Sequence, residues 1–364
     1  MTVLTRQMLD GFRSRAAGYD RDNAFFTEDL AELRAAGYLA PRSLLETARD
    51  QRLLAAYAPA TALGVNMHLV WTGVARVLAE RGDHSLDWVL RDAAAGELFA
   101  FGNSEQGNDL VLWDSTTTVE TVEGGYAFTG TKIFTSLSPA WTRLGIFGRQ
   151  GDQLVHGFIT RDTPGWRSLD DWDTLGMRAT QSHTTVLEGA IVPAERVARI
   201  LPVGPNADPF IFGIFSNFLL LIGSVYAGIA DRSLELAVEA VKRRSSLRIG
   251  KHYDQDPDFR WRIADAALAL DALAPQLETL AADVDGLVDH GAAWFRLLTG
   301  AKHRATETAR YVVDQAMRSA GGGGYRTESE LARLQRDVLA GIYHPSDTES
   351  VHNTVATNLL GPLG

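Results

Sequence analysis

The 364-residue chain contains no cysteine. Disulfide bonds, thiolate metal sites and a cysteine nucleophile are therefore excluded. The chain also lacks an excess of positive charge, since its formal net charge is -10 and its pI is about 5.4. A nucleic-acid partner is disfavoured because phosphate binding needs a basic surface. The N-terminal stretch MTVLTRQMLDGFRSRAAGYDRD is charged and amphipathic and lacks the apolar run of a signal peptide, so we expect a cytoplasmic protein.

The sequence also lacks the local motifs of several large enzyme classes. It contains no G-x-S-x-G elbow, and its glycine-rich stretch GGGGYRTESE is neither a P-loop nor G-x-G-x-x-G. None of the nine histidines forms H-E-x-x-H or another close metal-ligand pair. Hydrolase, kinase, Rossmann and zinc-enzyme functions therefore have no local support, and we predict no metal site.

One uncharged stretch, FIFGIFSNFLLLIGSVYAGIA at Phe210 to Ala230, is long enough to cross a bilayer. However, Ser216, Asn217 and Ser224 interrupt it, and it continues at helical spacing into DRSLELAVEAVKRR. A helix that is apolar on all sides lies either in a membrane or in the core of a large bundle. We interpret this one as a buried bundle helix and expect no membrane partner.

The hydrophobic period changes twice along the chain. Residues 1–97 show apolar residues at every third or fourth position, which predicts helices, as in RLLAAYAPATALGVNMHLVWTGVARVLAE. Residues 98–204 show short alternating runs separated by turns, and the pair Gly124-Gly125 between two such runs predicts a β-hairpin. Residues 205–364 return to long helical segments. We predict an α+β protein, mainly α, with these three domains packed together as one body.

Four stretches, taken in order, resemble the acyl-CoA dehydrogenase superfamily: FAFGNSEQGND, GTKIFTSLSPAWTRLGIFG, WDTLGMRATQSHTTVLEGAIVPAERV and AGGGGYRTESELARLQRD. The resemblance implies an N-terminal helical domain, a central β-barrel and a C-terminal four-helix bundle. It also implies a flavin, FAD or FMN, at the domain junction. A homodimer or homotetramer whose subunits share the cofactor site is expected from the same resemblance.

The resemblance assigns cofactor contacts to particular residues. Asn103 and Ser104 offer short polar groups to the flavin edge. Ser136 matches the hydroxyl that faces flavin N5, which implies a catalytic role as a hydrogen-bond donor to N5. Phe134 matches the aromatic side chain beside the ring. Arg178 lies in the loop over the benzene edge of the flavin, next to His183.

Two further cofactor contacts are implied in the C-terminal domain. Arg244 corresponds to the arginine that reaches the phosphates, a task that suits a guanidinium group. Gly322 and Gly323, within Gly321 to Gly324, would let the backbone approach the adenosine part of a neighbouring subunit's FAD. Without the resemblance, these glycines would indicate only the end of a helix.

The sequence departs from the usual pattern of the superfamily at the catalytic base. Most members carry a glutamate in a stretch that reads roughly IYEG, whereas this chain reads IYHP and places His344 there. The segment GIFSNFLLLIGSVYAG, which carries the glutamate in other members, contains no carboxylate. His344 is therefore the predicted acid/base, and an imidazole with a pKa of about 6.5 suits a phenol or amine substrate. Asp347 and Glu349 follow closely and are alternative bases.

A histidine in this position resembles the reduced-flavin-dependent monooxygenase branch, of the dibenzothiophene monooxygenase and 4-hydroxyphenylacetate hydroxylase types. The resemblance extends to Asn103, Ser136 and His68, and it implies that His68 and Asn103 contact the substrate. We predict oxygenation of a small apolar or aromatic substrate, with reduced flavin supplied by a separate flavin reductase. The alternatives are an FAD-dependent acyl-CoA dehydrogenase with an electron-transfer partner, and a non-catalytic flavin-binding paralogue.

Overall fold

A computed structural model describes residues 2–110 and 112–362 of the chain. The helices are α1 Arg6–Asp22, α2 Thr27–Ala35, α3 Leu44–Ala55, α4 Pro59–Glu80, α5 Asp87–Ala94, α6 Pro209–Arg243, α7 Pro257–Asp271, α8 Leu273–Asp285, α9 Ala293–Ala320, α10 Glu330–Leu339 and α11 Thr348–Leu360. The main strands are β1 Phe99–Gly102, β2 Thr118–Val122, β3 Gly125–Thr135, β4 Arg143–Gln150, β5 Gln153–Thr160, β6 Trp166–Ser168, β7 His183–Pro193 and β8 Val197–Pro202. A short hairpin, β9 Ser245–Ser246 with β10 Lys251–His252, follows α6.

Helices α4 and α6 form the centre of the helical part. Each begins with a proline at its first positions, where the missing N–H has no partner to lose, and Asp208 caps α6 by accepting a hydrogen bond from the Phe210 N–H. Both helices are long and apolar enough to span a membrane, but 83% of each apolar window is buried inside the molecule. Helices α3, α4, α8 and α9 pack around α6. This packing accounts for the apolar character of the Phe210 to Ala230 stretch.

The strands form one curled sheet in the order β6-β7-β3-β2-β4-β5-β8, and β1 pairs with β4 in parallel. Strands β2 and β3 form the predicted hairpin at Gly124, where the register pairs Val122 with Gly125. The sheet curls so strongly that a Cβ on Gly157 of β5 would lie 2.5 Å from Val192 of β7. The mainly helical fold with a central β unit is confirmed, and the predicted barrel is this curled sheet.

One hydrophobic core runs through all three regions of the chain. The ring of Trp71 in α4 lies 5.0 Å from the ring of Phe101 in β1 and 4.6 Å from that of Phe158 in β5. Its ring also lies 6.1 Å from that of Phe210 in α6, and its indole N–H donates to the carbonyl of Ala100 at 2.9 Å. The order of helical, β and helical regions is as predicted, while the domain boundaries stay a prediction because this core crosses both of them.

We predict that a buried histidine makes the fold sensitive to acid. His156 of β5 stacks on Phe147 with ring centroids 5.1 Å apart, and its Nε2 is buried without a partner. Burial lowers the pKa of His156 to about 3, below the value of about 6.5 in an unfolded chain. The unfolded state therefore binds more protons below pH 6.5, and stability falls as the pH decreases towards 3.

The His156→Phe variant keeps an aromatic ring but cannot bind this proton. Between pH 7 and pH 5 the free energy of unfolding, measured with urea, should decrease in both proteins. The decrease should be about 2 kcal/mol smaller in the variant than in the wild type. His84→Phe, at an exposed position, is the control, and its free energy of unfolding should decrease between pH 7 and pH 5 by the same amount as that of the wild type. An equal loss in wild type and His156→Phe would contradict the assignment.

Candidate functional site

A cavity of about 610 Å³ lies at the junction of the helical and β regions. One part of its wall is apolar and comes from α4, β1, β3, α6 and α10: Leu63, Met67, Phe101, Ile133, Ile214, Phe215, Phe218, Leu219 and Leu339. The polar part comes mainly from loops: Asn103, Ser104, Glu105, Asn108, Asp109, Ser136, Trp172, Thr174, Thr180, Ser182, Arg336, His344, Asp347 and Ser350. An apolar cavity with a few convergent polar groups is the usual form of a small-molecule site.

Asn103 is the most unusual polar residue of the cavity. It directly follows β1 and is 2% exposed, and neither its Oδ1 nor its Nδ2 has a hydrogen-bond partner. The next residue, Ser104, anchors this stretch because its carbonyl accepts from the Ile133 N–H at 2.9 Å. A buried amide without partners costs free energy, so a ligand that pairs with both ends of Asn103 would gain from binding here.

The end of β3 supplies the opposite edge of the polar wall. A register shift between Lys132 and Thr135 marks a bulge, and Phe134 adopts a left-handed conformation with a φ of 58°. The Phe134 ring is 51% exposed and meets the Trp172 ring edge to face at 6.0 Å. The indole N–H of Trp172 is buried without a partner. Trp172 therefore adds another unpaired polar atom to the cavity wall.

His344 lies in the loop between α10 and α11, and its Nε2 is buried without a hydrogen bond. Lys302 of α9, 2% exposed, holds this loop by donating from Nζ to three carbonyl oxygens. The distances are 3.2 Å to Gly341, 2.8 Å to His344 and 2.9 Å to Ser346. The ring of Tyr226 packs at 5.8 Å from the imidazole. Lys302 and Tyr226 thus hold the loop in place, and His344 lines the cavity.

The same surroundings make His344 a weak base. Burial, together with the nearby charge of Lys302, lowers the pKa of His344 to about 3. This corrects the expectation of an imidazole that titrates near neutral pH. At neutral pH the side chain is an uncharged imidazole that can accept or donate one hydrogen bond at Nε2, depending on its tautomer.

Three carboxylates on the cavity wall differ in their availability. Glu105 is buried and paired with Lys132 at 2.6 Å, and it also accepts from Ser115 and Thr117. Although burial opposes it, the charge of Lys132 lowers the pKa of Glu105 to about 2. Asp347 caps α11 by accepting from the Ser350 N–H at 2.8 Å. Asp109 lies at the exposed rim.

The structure brings five of the predicted site residues together around this cavity: Asn103, Ser104, Phe134, Ser136 and His344. His68 does not line it. His68 is fully buried; its Nε2 donates to the Leu39 carbonyl at 2.8 Å and its Nδ1 accepts from the Phe99 N–H at 3.2 Å. Burial lowers its pKa to about 4. Against the expectation of a substrate contact, His68 is a core histidine that connects α4 to β1.

The predicted cofactor contacts outside the cavity have other partners. The Arg178 side chain donates to the carbonyl of Asp20 at 2.8 Å and to Asp173 at 2.7 Å, and it does not line the cavity. Arg244 donates to the Ser319 carbonyl at 2.7 Å, beside the glycine-rich turn. Gly322 and Gly323 are exposed, and nothing lies within 4 Å of a Cβ built on either. The structure brings Arg244 and this turn together, but away from the cavity.

The sequence predictions missed several residues that shape the cavity. Trp172, Ser182 and Arg336 line it, and Lys302 positions the His344 loop. A signal existed for Lys302, because it is the single lysine of the long α9 segment and directly follows three small residues in LTGAKHRAT. Trp172, Ser182 and Arg336 lie within the stretches that resemble the superfamily, but their individual roles depend on contacts between segments that are distant in sequence.

Comparison with known proteins places these observations in a family. The profile of the acyl-CoA dehydrogenase C-terminal domain matches residues 220–346. The putative acyl-CoA dehydrogenase YdbM of Bacillus subtilis is 27% identical over 96% of this chain and 94% of its own length. The L-evernosamine nitrososynthase of a Micromonospora species is 29% identical over 76% of this chain and 65% of its own.

A solved structure gives a closer view of one relative. KijD3 in complex with FMN and dTDP-3-amino-2,3,6-trideoxy-4-keto-3-methyl-D-glucose matches with a TM-score of 0.86 at 26% identity. The match covers 98% of this chain and 92% of that one. Residues 220–346 match the acyl-CoA dehydrogenase family, and over most of its length the chain is similar to acyl-CoA dehydrogenases and nitrososynthases, which confirms the resemblance predicted from the sequence motifs. It is an enzyme of the flavin-dependent oxidoreductase class, related both to acyl-CoA dehydrogenases and to nitrososynthases.

We predict that the charge of Lys302 adds to the effect of burial in lowering the pKa of His344. Removing the charge in Lys302→Met should raise the pKa of His344, because a nearby positive charge opposes formation of the imidazolium. The ring C–H signals of His344 in ¹³C-histidine-labelled protein report this titration directly. In wild type and in Lys302→Arg, His344 should stay neutral between pH 5 and pH 8. In Lys302→Met, His344 should titrate at a higher pH than in either.

The exposed Lys251→Met makes the same chemical change away from the loop and is the control. If His344 titrates identically in Lys302→Met and in Lys251→Met, then burial alone sets its pKa and the assigned role of Lys302 is wrong.

Proposed function

We propose that this protein is an oxygenating flavoenzyme that uses reduced flavin and O₂ on a small substrate bound in the junction cavity. The observation that carries the proposal is His344, an uncharged imidazole with an unpaired Nε2, at the position where a dehydrogenase needs a carboxylate base. A base whose pKa lies near 3 is poorly matched to removal of a carbon-bound proton at neutral pH. Oxygen transfer to a phenol or amine needs hydrogen-bond partners more than a strong base.

The cavity fits the ring system of a flavin. An isoalloxazine edge presents neutral donors and acceptors, and the unpaired amide of Asn103 and indole N–H of Trp172 can meet such groups. Apolar walls from α4, β1 and α6 suit its aromatic faces. The likeness to KijD3, whose structure contains FMN, supports the same assignment. Bound reduced flavin would supply two electrons, so that one atom of O₂ enters the substrate and the other leaves as water.

The charges of the cavity argue against a substrate whose phosphates lie inside it. Arg336 is the only arginine or lysine among the described residues that line the cavity. Its guanidinium is bound to the carboxylate of Asp20 and to the carbonyl of Leu175. A free cation for a CoA or nucleotide diphosphate is therefore not offered by the described cavity wall. A phenol or an amine without phosphate groups fits these walls better.

In this proposal each residue has a defined task. His344 accepts or donates a hydrogen bond at the substrate or at the reacting edge of the flavin, held in place by Lys302. Asn103 orients the ligand through both ends of its amide. Phe134 and Trp172 cover the site at its mouth and exclude water. A separate flavin reductase would supply reduced flavin, and a homodimer or homotetramer would complete the phosphate contacts.

A second candidate is an acyl-CoA dehydrogenase. Two observations favour it: the likeness to YdbM over nearly the whole chain and the position of Asp347 on the cavity wall. Asp347 would act as the base, whereas Glu349, the other predicted carboxylate, is exposed and does not line the cavity. The task of Asp347 as the cap of α11 limits its freedom to do so. A non-catalytic paralogue receives no support, because the relatives are enzymes.

The test is to mix the protein and chemically reduced FMN or FAD with ¹⁸O₂ in the presence of a panel of phenols and amines. We expect wild type to incorporate one ¹⁸O atom into at least one product, and His344→Ala to lose at least tenfold in rate. His352→Ala, an exposed histidine on α11, is the matched control and should keep the wild-type rate.

The result that would overturn this proposal is equally direct. If no substrate gains ¹⁸O and reduced flavin reoxidises as fast with the protein as without it, oxygenation is wrong. Reduction of an artificial electron acceptor by acyl-CoA substrates, with loss of activity in Asp347→Asn, would then support the second candidate.

A further inference from the structure

Three hydroxyl groups form a chain along the cavity wall. The Oγ of Ser136 lies 2.8 Å from the Oγ of Ser182, which lies 2.7 Å from the Oγ1 of Thr180. The Thr180 hydroxyl lies 2.9 Å from the carbonyl oxygen of Met177. All three hydroxyl residues line the cavity and are at least nine-tenths buried. The chain therefore joins the cavity to the backbone of the loop before β7.

The direction of this chain follows from counting hydrogens. The carbonyl of Met177 can only accept, so Thr180 donates to it. Thr180 then has no hydrogen left for Ser182, so Ser182 donates to Thr180. For the same reason Ser136 donates to Ser182. Three hydrogens serve three hydrogen bonds, and the Ser136 oxygen keeps only its lone pairs for the cavity.

The acceptor at the end of the chain is fixed by the fold. Met177 has a left-handed φ of 54°, and its N–H donates to the buried carboxylate of Asp337 at 2.6 Å. Gly176, just before it, lies so close to α10 that a Cβ would be 2.3 Å from the carbonyl oxygen of Arg336. Reversing the chain would leave the Thr180 hydroxyl oxygen 2.9 Å from the Met177 carbonyl oxygen without a hydrogen between them. The direction of the hydrogen bond at Ser136 is thus set by the Met177 carbonyl, which Asp337 and the close packing on α10 hold in place.

We propose that Thr180 and Ser182 make Ser136 a hydrogen-bond acceptor towards the cavity, so that the site selects the reduced form of its flavin. This inference rests on the proposed binding of flavin in the cavity. Reduction of an isoalloxazine converts N5 from an acceptor into an N–H donor. A fixed acceptor pairs with the donor and repels the lone pair of the oxidised form. Ser182 and Thr180 are then positioning residues for redox selectivity, and they replace the earlier expectation that Ser136 is a donor.

The experiment compares dissociation constants for oxidised FMN in air and for dithionite-reduced FMN under anaerobic conditions. Wild type should bind reduced FMN at least tenfold more tightly. Ser182→Ala releases the hydrogen of Ser136 and should raise the affinity for oxidised FMN, so that the ratio falls by about tenfold. That change equals a shift of about 30 mV in the two-electron potential of the bound flavin, which can be measured independently.

Two further variants separate this role from general damage. Thr180→Val keeps the volume but ends the chain one step earlier, which lets Ser182 donate back to Ser136, so the ratio should also fall. Ser138→Ala is the matched control: Ser138 is a buried serine that donates to the Thr135 carbonyl at 2.7 Å and does not line the cavity. It should leave the ratio unchanged.

The possible outcomes are distinguishable. Equal affinity of wild type for both forms, or an unchanged ratio in folded Ser182→Ala, overturns the inference while the proposed oxygenation can still stand. Tight reduced-flavin binding without ¹⁸O transfer supports the inference and removes the oxygenation. No binding of either form overturns both.

Discussion

The cavity depends on a buried polar clamp between α10 and the loop that leads into β7. Asp337 accepts the N–H of Met177, and Arg336 donates to the Leu175 carbonyl and pairs with Asp20 of α1. Burial raises the pKa of Asp337 to about 6, which shows how far this carboxylate is removed from solvent. The clamp ties together the N-terminal helices, the β region and the C-terminal helices. It fixes the loop that brings Trp172, Thr180 and Ser182 to the polar part of the cavity wall.

This arrangement explains why the polar groups of the site lie in strained loops rather than in regular helices or strands. Phe134, Met177 and Gln181 all have a positive φ, in a region that residues other than glycine seldom adopt. Each lies at or next to a residue that lines the cavity. Such conformations persist only where the surrounding contacts hold them, and they concentrate at functional sites. The strain here is balanced by the clamp at Met177 and by the bulge in β3.

The residues differed in how far the sequence could predict them. Periodicity indicated the helical, β and helical order and the hairpin at Gly124, because these depend on local patterns. Motif resemblance located Asn103, Ser136 and His344 on one cavity. It failed at His68, since an all-round apolar helix does not show which side faces a ligand. It also failed on the basicity of His344, because burial and then the charge of Lys302 lower its pKa. Both arise from packing of α9 against a loop 42 residues further along the chain. Contacts of this kind leave no local pattern.

The partners of the charged side chains argue for the kind of chemistry that this site performs. Glu105 is neutralised by Lys132, Arg336 is bound to Asp20, and Asp347 caps a helix. The buried groups without partners, Asn103, Trp172 and His344, are all neutral at physiological pH. Unpaired neutral groups in a largely apolar cavity recognise hydrogen-bonding patterns rather than net charge. Electrons must then come from a bound group and not from the protein. The contribution of the chain is to choose which protonated form of that group it holds.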